Sequence, residues 1–403
     1  MKRILIDATS TIESGFNTGI QRVVRNACQY ISKYAGEENV EVGILVFDGE
    51  NFILKNNLDS VLLTYKNTKR LSPLKRYISF KRHLRRVITK NLPAIQNGDV
   101  VWTPQEGDVL LLADATWNYQ PWARVKEARY KNIKIVHIVY DLLPLKHPEL
   151  FVPELVSAFK MWWEISNYYV DSYACISKCV AGDVREFIPK YNSRAQVQCF
   201  PMGSDIISNN TGAVKNFTSG YSDSQLYLMV GTMEPRKNHT FVLDAFDELW
   251  ATGKSTARLL IIGRRGWHSE LISKRILNHP EFGRLLFWLD DCNDDVLEGC
   301  YQISDVLIAA SIDEGYGLPI IEAESRGLKV LASDIGVFRE VANSSVEFFN
   351  LTNTEELVEK LSNSLYCSRP EEVISVEHMT WSNSGKVLYE ILVNMGEQKA
   401  TQE

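Results

Sequence analysis

The sequence has neither an apolar run of membrane length nor a set of cysteines arranged for metal binding. Its longest apolar runs, such as VLLLA at 109–113 and LLII at 259–262, are strand-sized, far short of the roughly 20 residues of a membrane-spanning helix. Its seven cysteines are scattered, and Cys175 and Cys179 have no second pair at metal-ligand spacing. We therefore expect reduced, structural thiols and no metal site.

The charge balance and the first residues exclude two further classes of protein. A formal net charge of −6 does not suit a nucleic-acid-binding protein. The opening residues, MKRILID, run directly into a strand-like segment, unlike a signal or transit peptide. We therefore expect a cytoplasmic location and no nucleic-acid partner.

One interval lacks acidic residues altogether. Residues 66–90 contain ten lysines and arginines and no aspartate or glutamate, and apolar residues recur there at helical spacing. The pattern predicts an amphipathic basic helix. Two interpretations remain open: a solvated helix that covers the core, or a helix that docks on an anionic membrane surface at the inner face of the cell membrane.

Short apolar runs alternate with longer helical patterns along the chain. The strand-like runs lie at 3–7, 109–114, 134–141, 172–177, 226–231, 258–263, 306–311 and 329–333. Apolar strands separated by helices indicate parallel sheets with helices on both faces. The Ser-, Asn- and Gly-rich stretch 204–225 separates two such series. The sequence therefore predicts two doubly wound α/β domains, at 1–205 and 206–379.

The residues that follow each strand are the first candidates for a site, because ligands bind beyond the carboxyl ends of strands in open parallel sheets. After the first strand, Gly15 and Gly19 predict a turn whose backbone amides can approach a ligand. After the strand at 226–231 come Arg236 and Lys237, a donor fork beside a compact charge, which suits a diphosphate. An ordinary turn and a surface pair of cations are the alternatives.

The stretch SIDEGYGLPIIEAESRGLKVLAS, residues 311–333, carries two glutamates around a glycine-rich turn. Glu314 lies in the loop after a predicted strand, and Glu322 lies one turn inside the next helix, which Pro319 can begin. One carboxylate can accept hydrogen bonds from sugar hydroxyls and the other from a ribose diol. A diphosphate would lie between them, where the helix dipole favours negative charge. Either glutamate alone is consistent with a surface residue; the spacing is the specific signal.

These motifs resemble those of the retaining glycosyltransferases of family GT4, whose GT-B fold has two Rossmann-like α/β domains facing across a cleft. Glu314 and Glu322 reproduce the E-x7-E motif of that family, and GTMEPRKN at 231–238 is similar to its phosphate-binding segment. Further similar segments are TGIQR at 18–22, YDLLP at 140–144 with HP at 147–148, REV at 339–341 and MTWS at 379–382. The last of these implies a final helix, about 380–400, that packs back on the first domain.

The resemblance implies roles for individual residues. Arg236 and Lys237 would hold the donor diphosphate, and Glu322 would bind the donor ribose. The implied catalytic residues are Glu314, Asp141 and His147. The other implied donor-binding residues are Gly19, Gly231, Gly315, Tyr316, Gly317, Leu318, Trp288 and Leu289, of which the tryptophan and its neighbour would contact the nucleobase. Many relatives read His-Asp where this chain has Tyr140-Asp141, so the sugar contact of that histidine is absent or falls to Tyr140 or His147.

The implied reaction is a metal-independent transfer of a hexose, with retention, from a nucleotide sugar to a glycan or polyprenyl-diphosphate-linked acceptor. The setting would be bacterial surface polysaccharide synthesis, such as that of O-antigen. GDP-mannose is the favoured donor by analogy, and dTDP-rhamnose or a UDP-sugar is the alternative. An epimerase of the same fold is disfavoured by the E-x7-E spacing. A non-catalytic nucleotide-sugar-binding scaffold is the interpretation from a different class.

Overall fold

The computed structural model describes residues 3–14, 19–56, 98–205, 224–253, 255–290, 292–343, 345–363 and 379–397. The chain divides into two compact units. Unit 1 comprises Met1–Leu145, Pro153–Gly203 and Trp381–Glu403, and unit 2 comprises Lys146–Val152 and Ser204–Thr380. The predicted basic helix at 66–90, together with Gly15 and Thr18, lies outside the described residues.

Unit 1 is built on an eight-stranded sheet. Its strands are β1 (Arg3–Asp7), β2 (Glu41–Phe47), β3 (Phe52–Lys55), β4 (Val100–Val101), β5 (Asp108–Leu112), β6 (Lys134–Val139), β7 (Ser172–Cys175) and β8 (Gln196–Cys199). They are ordered β4-β3-β2-β1-β5-β6-β7-β8. Strands β2, β1, β5, β6, β7 and β8, which are neighbours in that order, all pair in parallel. Strand β3 runs antiparallel to both β2 and β4. The sheet is therefore doubly wound, as predicted. Its antiparallel edge was not predicted from the sequence.

Unit 2 is built on a six-stranded sheet that is parallel throughout. Its strands are β9 (Leu226–Val230), β10 (Arg258–Ile262), β11 (Leu286–Leu289), β12 (Val306–Ala309), β13 (Lys329–Ser333) and β14 (Val346–Phe349). The order β11-β10-β9-β12-β13-β14 reverses between β9 and β12. Leu228, Leu260 and Leu307 are fully buried in adjacent strands, as expected where helices cover both faces. The predicted α/β class with two Rossmann-like sheets is confirmed.

Helices follow most of the strands. The α-helices of the described residues are α1 (Thr9–Ser14), α2 (Gly19–Glu37), α3 (Trp122–Tyr130), α4 (Leu143–Lys146), α5 (Pro153–Ser166), α6 (Lys178–Phe187), α7 (His239–Ala251), α8 (Glu270–Leu277), α9 (Asp294–Ile303), α10 (Leu318–Glu324), α11 (Gly336–Val341), α12 (Glu355–Ser362) and α13 (Trp381–Glu397). Among these, no helix is at once long and apolar enough to cross a membrane. Short 3₁₀ helices lie at Thr116–Asn118, Pro148–Leu150, Lys190–Asn192 and Pro235–Lys237.

Local sequence explains where several helices begin. Ser177 accepts a hydrogen bond from the Val180 N–H at 3.0 Å and so caps α6. Asn293 caps α9 in the same way, accepting from Val296 at 2.9 Å, and side-chain acceptors of this kind are typical at helix N-termini. Helix α10 begins directly after Gly317, whose φ of +104° favours glycine.

The last helix, α13, packs against α2 within unit 1. The Tyr34 hydroxyl lies 2.9 Å from Ser382 Oγ, and the Tyr389 hydroxyl donates to Glu38 at 2.8 Å. Gly385 lies so close to α2 that a Cβ there would come within 2.4 Å of Tyr30 Cβ. Helix α13 is therefore part of unit 1, together with the strands and helices from the first part of the chain.

Candidate functional site

Most of the predicted donor-binding residues meet in unit 2, where the strand order reverses. Residues 231–237 follow β9, and residues 310–317 follow β12, the strand beside it. The Ile312 N–H donates to the Arg236 carbonyl at 2.8 Å, so a backbone hydrogen bond joins the two loops. The point where strand order reverses is where open α/β sheets bind ligands.

Glu314 lies between the two predicted phosphate-binding cations. Arg236 Nη1 is 2.6 Å from one carboxylate oxygen, and Lys237 Nζ pairs with the other. Ser311 Oγ also donates to Glu314 at 2.8 Å. Arg236 is held from its other side by Glu234, with Nε 2.9 Å from Oε2. The cluster is therefore an ion-pair network in which each cation has a fixed position.

The pKa values of the two glutamates in the network are shifted in opposite directions. Burial alone would raise the pKa of Glu314, but the charges of Arg236 and Lys237 outweigh it and lower the pKa to about 2. Burial raises the pKa of Glu234, against the lowering effect of Arg236. Glu314 is thus a carboxylate at every physiological pH and can act as a hydrogen-bond acceptor.

Glycines allow the loops of the site to approach one another. A Cβ at Gly263, which follows β10, would come within 1.7 Å of the Gly231 carbonyl. Gly231 itself lies against Lys237, whose Cε would be 3.1 Å from such a Cβ. Gly317 has a positive φ and lies over the ring of Phe338. A small pocket lined by Lys237, Glu314 and Gly317, among others, opens between these loops.

The second glutamate of the motif is separate from this network. Glu322 lies in α10 and is 3% exposed, and the Tyr301 hydroxyl of α9 donates to it at 2.8 Å. The residues between the two glutamates form the turn into the helix: Gly315 and Gly317 are buried, and Tyr316 and Leu318 are half-buried. The motif thus places its two carboxylates at different points of one loop–helix segment.

The predicted nucleobase contacts, Trp288 and Leu289, end the strand β11. The Trp288 indole N–H donates to the Gly263 carbonyl at 2.9 Å, and the Arg265 guanidinium lies 5.1 Å from the centre of its ring. Sequence reasoning missed Arg265. Its position shortly after a predicted strand, the rule that identified Arg236, was the available signal.

His147 also belongs to unit 2. Its Nε2 lies 3.1 Å from Asp313 Oδ2, and Lys146 Nζ lies 2.8 Å from the same oxygen. Asp313 Oδ1 accepts a hydrogen bond from the Glu314 N–H at 2.8 Å. Asp313, which the sequence analysis did not single out, therefore joins the backbone of Glu314 to His147. Its position beside Glu314 was a signal, but its partners lie more than 160 residues away.

The remaining predicted residues lie in unit 1. Gly19 is exposed and begins α2, and Asp141 accepts a hydrogen bond from the Leu143 N–H at 3.1 Å at the start of α4. Tyr140 is buried, and its hydroxyl donates to the Ala113 carbonyl at 2.5 Å. Because that bond holds the Tyr140 hydroxyl in the core, His147 is the better candidate for the sugar contact.

Within the described part of the chain, no three His, Cys, Asp or Glu side chains come together as metal ligands would. The six cysteines found there are all free thiols. Whether the reaction needs a metal is a separate matter, and metal independence stays a prediction.

Residues 214–374 match the family model of glycosyl transferases group 1. The matched segment contains Arg236, Lys237, Glu314 and Glu322, whereas His147 lies outside it.

Two relatives show what the chain is similar to. It is 28% identical over 405 residues to the serotype-specific mannosyltransferase WbdA of Escherichia coli, across 96% of the chain and 46% of that protein. It is 24% identical over 213 residues to the O-antigen chain mannosyltransferase RfbU of Salmonella typhimurium, across 53% of the chain and 55% of RfbU. The chain thus spans less than two thirds of the length of these relatives.

The crystal structure of HepE from Anabaena in complex with UDP and glucose shares the fold. Its TM-score is 0.57 at 11% sequence identity, over 99% of this chain and 98% of HepE. The chain therefore has the GT-B glycosyltransferase fold that the motifs indicated.

Proposed function

We propose that the protein transfers a hexose, with retention, from a nucleotide sugar to a glycan or polyprenyl-diphosphate-linked acceptor in bacterial surface polysaccharide synthesis. The observation that carries the proposal is the Glu314 carboxylate held between Arg236 and Lys237 where the strand order reverses. Mannose is the favoured sugar and GDP-mannose the favoured donor, because WbdA and RfbU are mannosyltransferases. A UDP-sugar is the alternative, since HepE was crystallised with UDP and glucose.

The chemistry of the network suits the departure of a nucleoside diphosphate. Arg236 and Lys237 stabilise the negative charge that develops on the leaving phosphate, and fixed charges of this kind supply much of an enzyme's rate enhancement. Glu314, kept ionised by the same cations, accepts hydrogen bonds from hydroxyls of the transferred sugar. The leaving phosphate takes the proton of the attacking acceptor hydroxyl as the glycosidic bond forms.

Other residues have supporting roles in this proposal. Glu322, held by Tyr301, binds the donor ribose. His147, held by Asp313, contacts the sugar in place of the histidine that Tyr140 replaces. The roles that the resemblance implies for Gly19 and Asp141, which lie in unit 1, stay predictions.

A transfer assay with a single substitution tests the proposal. We expect Glu314→Gln to lower kcat by roughly 100-fold or more, because it removes the charge that the cations hold and the acceptor for the sugar. Radiolabelled GDP-mannose, dTDP-rhamnose and UDP-glucose would each be supplied with lipid-linked acceptor, with and without EDTA. The one-bond carbon–proton NMR coupling at the anomeric centre of the product would report retention.

Glu359→Gln is the matched control, because Glu359 is exposed on α12 of the same unit. Unchanged transfer in Glu314→Gln would contradict the proposed role of Glu314. Nucleotide binding by the unmodified protein without transfer to any acceptor would favour the scaffold interpretation. Loss of activity in EDTA, restored by a divalent cation, would contradict metal independence.

A further inference from the structure

Arg265, which follows β10, lies over the ring of Trp288, a residue near the carboxyl end of β11. The Arg265 guanidinium lies 5.1 Å from the centre of the Trp288 ring. Arg265 is exposed and Trp288 is half-buried. The pair therefore presents a planar group with several N–H donors, supported by an aromatic ring, at the edge of the sheet that carries the candidate site.

Both members of the pair are held by backbone contacts around the phosphate-binding segment. The Trp288 indole N–H donates to the Gly263 carbonyl at 2.9 Å, which fixes the ring. Met233 pairs with Arg265 in a parallel bridge: its N–H donates to the Arg264 carbonyl at 2.8 Å, and its carbonyl accepts from Gly266 at 3.0 Å. Because Met233 lies just before Arg236 in the chain, the pair has a set position relative to the two cations.

The guanidinium of Arg265 differs from those of the other arginines in these loops. Arg236 is paired with Glu234 and Glu314, and Arg339, after β13, is paired with Asp334 at 2.5 and 2.7 Å. In the described part of the chain, Arg265 makes no ion pair within 4.0 Å. Its guanidinium N–H donors are therefore not taken up by a carboxylate of the described residues.

A nucleoside at this site has two directions in which to extend from a diphosphate at Arg236 and Lys237. On one side lie the ends of β13 and β14, where the Arg339 fork is occupied by Asp334. On the other side lie the ends of β10 and β11, with the Arg265–Trp288 pair. Arg339 also lies over an aromatic ring, that of Phe348 at 4.6 Å, but its donor fork is taken up by Asp334. The second direction combines an aromatic ring with a donor fork that makes no ion pair among the described residues, and these are the two groups that recognise a base.

We propose that Arg265, supported by Trp288, selects guanine as the base of the donor. The inference rests on the proposed function and makes its donor a guanosine diphosphate sugar. Guanine presents two adjacent acceptors, O6 and N7, to which an arginine fork can donate two parallel hydrogen bonds. Adenine replaces one of these acceptors with an amino donor. Uracil and thymine have a single carbonyl acceptor, O4, on the corresponding edge.

Calorimetric titration with nucleoside diphosphates tests the selection. We expect Arg265→Ala to weaken GDP binding about tenfold or more while leaving UDP binding unchanged, because a bidentate arginine–guanine contact discriminates by roughly that factor. Arg265→Lys keeps the charge but loses the fork, so it is expected to lose the preference for GDP as well. Arg284→Ala is the control, since Arg284 pairs with Glu281 just before β11, at the amino end of that strand.

A modified base separates guanine recognition from simple charge attraction. 7-Deaza-GDP lacks the N7 acceptor, so the unmodified protein is expected to bind it less tightly than GDP, and Arg265→Ala is expected to bind the two alike. Equal losses for GDP and UDP in Arg265→Ala, or unchanged GDP binding, would overturn the inference and leave the proposed function standing. If the unmodified protein bound no nucleoside diphosphate, the proposed function itself would fail.

Discussion

At the scale of single residues, buried carboxylates of this protein differ in charge because their neighbours differ. Glu314 has two cations beside it, and its pKa is lowered to about 2. Asp7, at the end of β1, is fully buried, and burial together with the nearby Asp114 raises its pKa to about 7. No cation pairs with it among the described residues; instead two hydroxyls donate to it, that of Thr9 at 2.6 Å and that of Tyr119 at 2.5 Å. The same functional group is therefore a permanent anion in one unit and a proton-binding group in the other.

The raised pKa of Asp7 predicts a pH dependence of stability. Because the folded state holds a proton that the unfolded state releases near pH 4, the free energy of unfolding falls as pH rises from about 4 to about 7. Each tenfold difference in proton affinity between the two states corresponds to about 1.4 kcal/mol of stability. Asp7→Asn removes the titrating group, so we expect it to remove the fall in stability that Asp7 causes. The difference between the thermal midpoints at pH 5 and pH 8 should then be smaller in Asp7→Asn than in the unmodified protein. Glu186→Gln, an exposed substitution in the same unit, should leave the difference unchanged, and an equal difference in Asp7→Asn would contradict the prediction.

At the scale of elements, the loop between β12 and α10 directs two adjacent carboxylates to different partners. Glu314 contacts Arg236 and Lys237, while Asp313 contacts Lys146 and His147. The segment around His147 has a second attachment in unit 2, since the Trp267 indole N–H donates to the Leu150 carbonyl at 2.9 Å and its ring packs on Phe151. Trp267 therefore holds the end of the segment near Phe151, and Asp313 sets the position of the His147 side chain.

Substitution of Asp313 is expected to affect turnover more than donor binding. In Asp313→Ala, His147 loses the carboxylate at its Nε2, and displacement of a positioned group by about 1 Å can lower the rate about 100-fold. We expect kcat to fall about 10- to 100-fold with little change in the donor Kd. Steady-state kinetics and nucleotide titration measure the two effects. Asp247→Ala is the matched control, since Asp247 likewise pairs with a cation and a histidine, Arg275 and His279, outside the site. A weakened donor Kd with normal kcat would instead place Asp313 in donor binding.

At the scale of the whole molecule, each unit includes a segment that is distant along the chain from the rest of that unit. Unit 1 takes α13 from the end of the described residues, and unit 2 takes Lys146–Val152 from the middle. In unit 1 the contact depends on Gly385, because any side chain there would meet Tyr30 of α2. The stability of unit 1 therefore depends on the packing of its last helix as well as on its sheet.

Two glycine-to-alanine substitutions in unit 1 should have opposite effects. Gly385→Ala is expected to destabilise the unit by about 1–3 kcal/mol, since the new methyl group would overlap Tyr30 and force α13 away from α2. Gly182→Ala in α6, where nothing lies within 4 Å of the added Cβ, is expected to stabilise it by roughly 0.5–1 kcal/mol. Chemical denaturation with a probe in unit 1 measures both. Stabilisation by Gly385→Ala would show that the helices separate without cost.

The amino-acid sequence by itself determined the α/β class, the strand-like runs that became β1, β5, β6, β7, β9, β10, β12 and β13, and Arg236, Lys237 and Glu314 as candidates. These features are local: a buried strand needs a short apolar run, and a ligand-binding residue follows soon after it. The shorter or more polar strands, such as β3, β4 and β8, carry no comparable pattern. The membrane docking of 66–90 stays a prediction.

Only the tertiary structure decided which distant residues meet. Arg265 lies over Trp288, Asp313 holds His147, and Asp114 lies close enough to Asp7 to raise its pKa. Such contacts depend on strand order and register, which bring residues together through space without leaving a periodic signal along the chain. The tight approach of Gly263 to Gly231 has the same origin, because β9 and β10 are neighbours in the sheet although the whole of α7 lies between them in the chain.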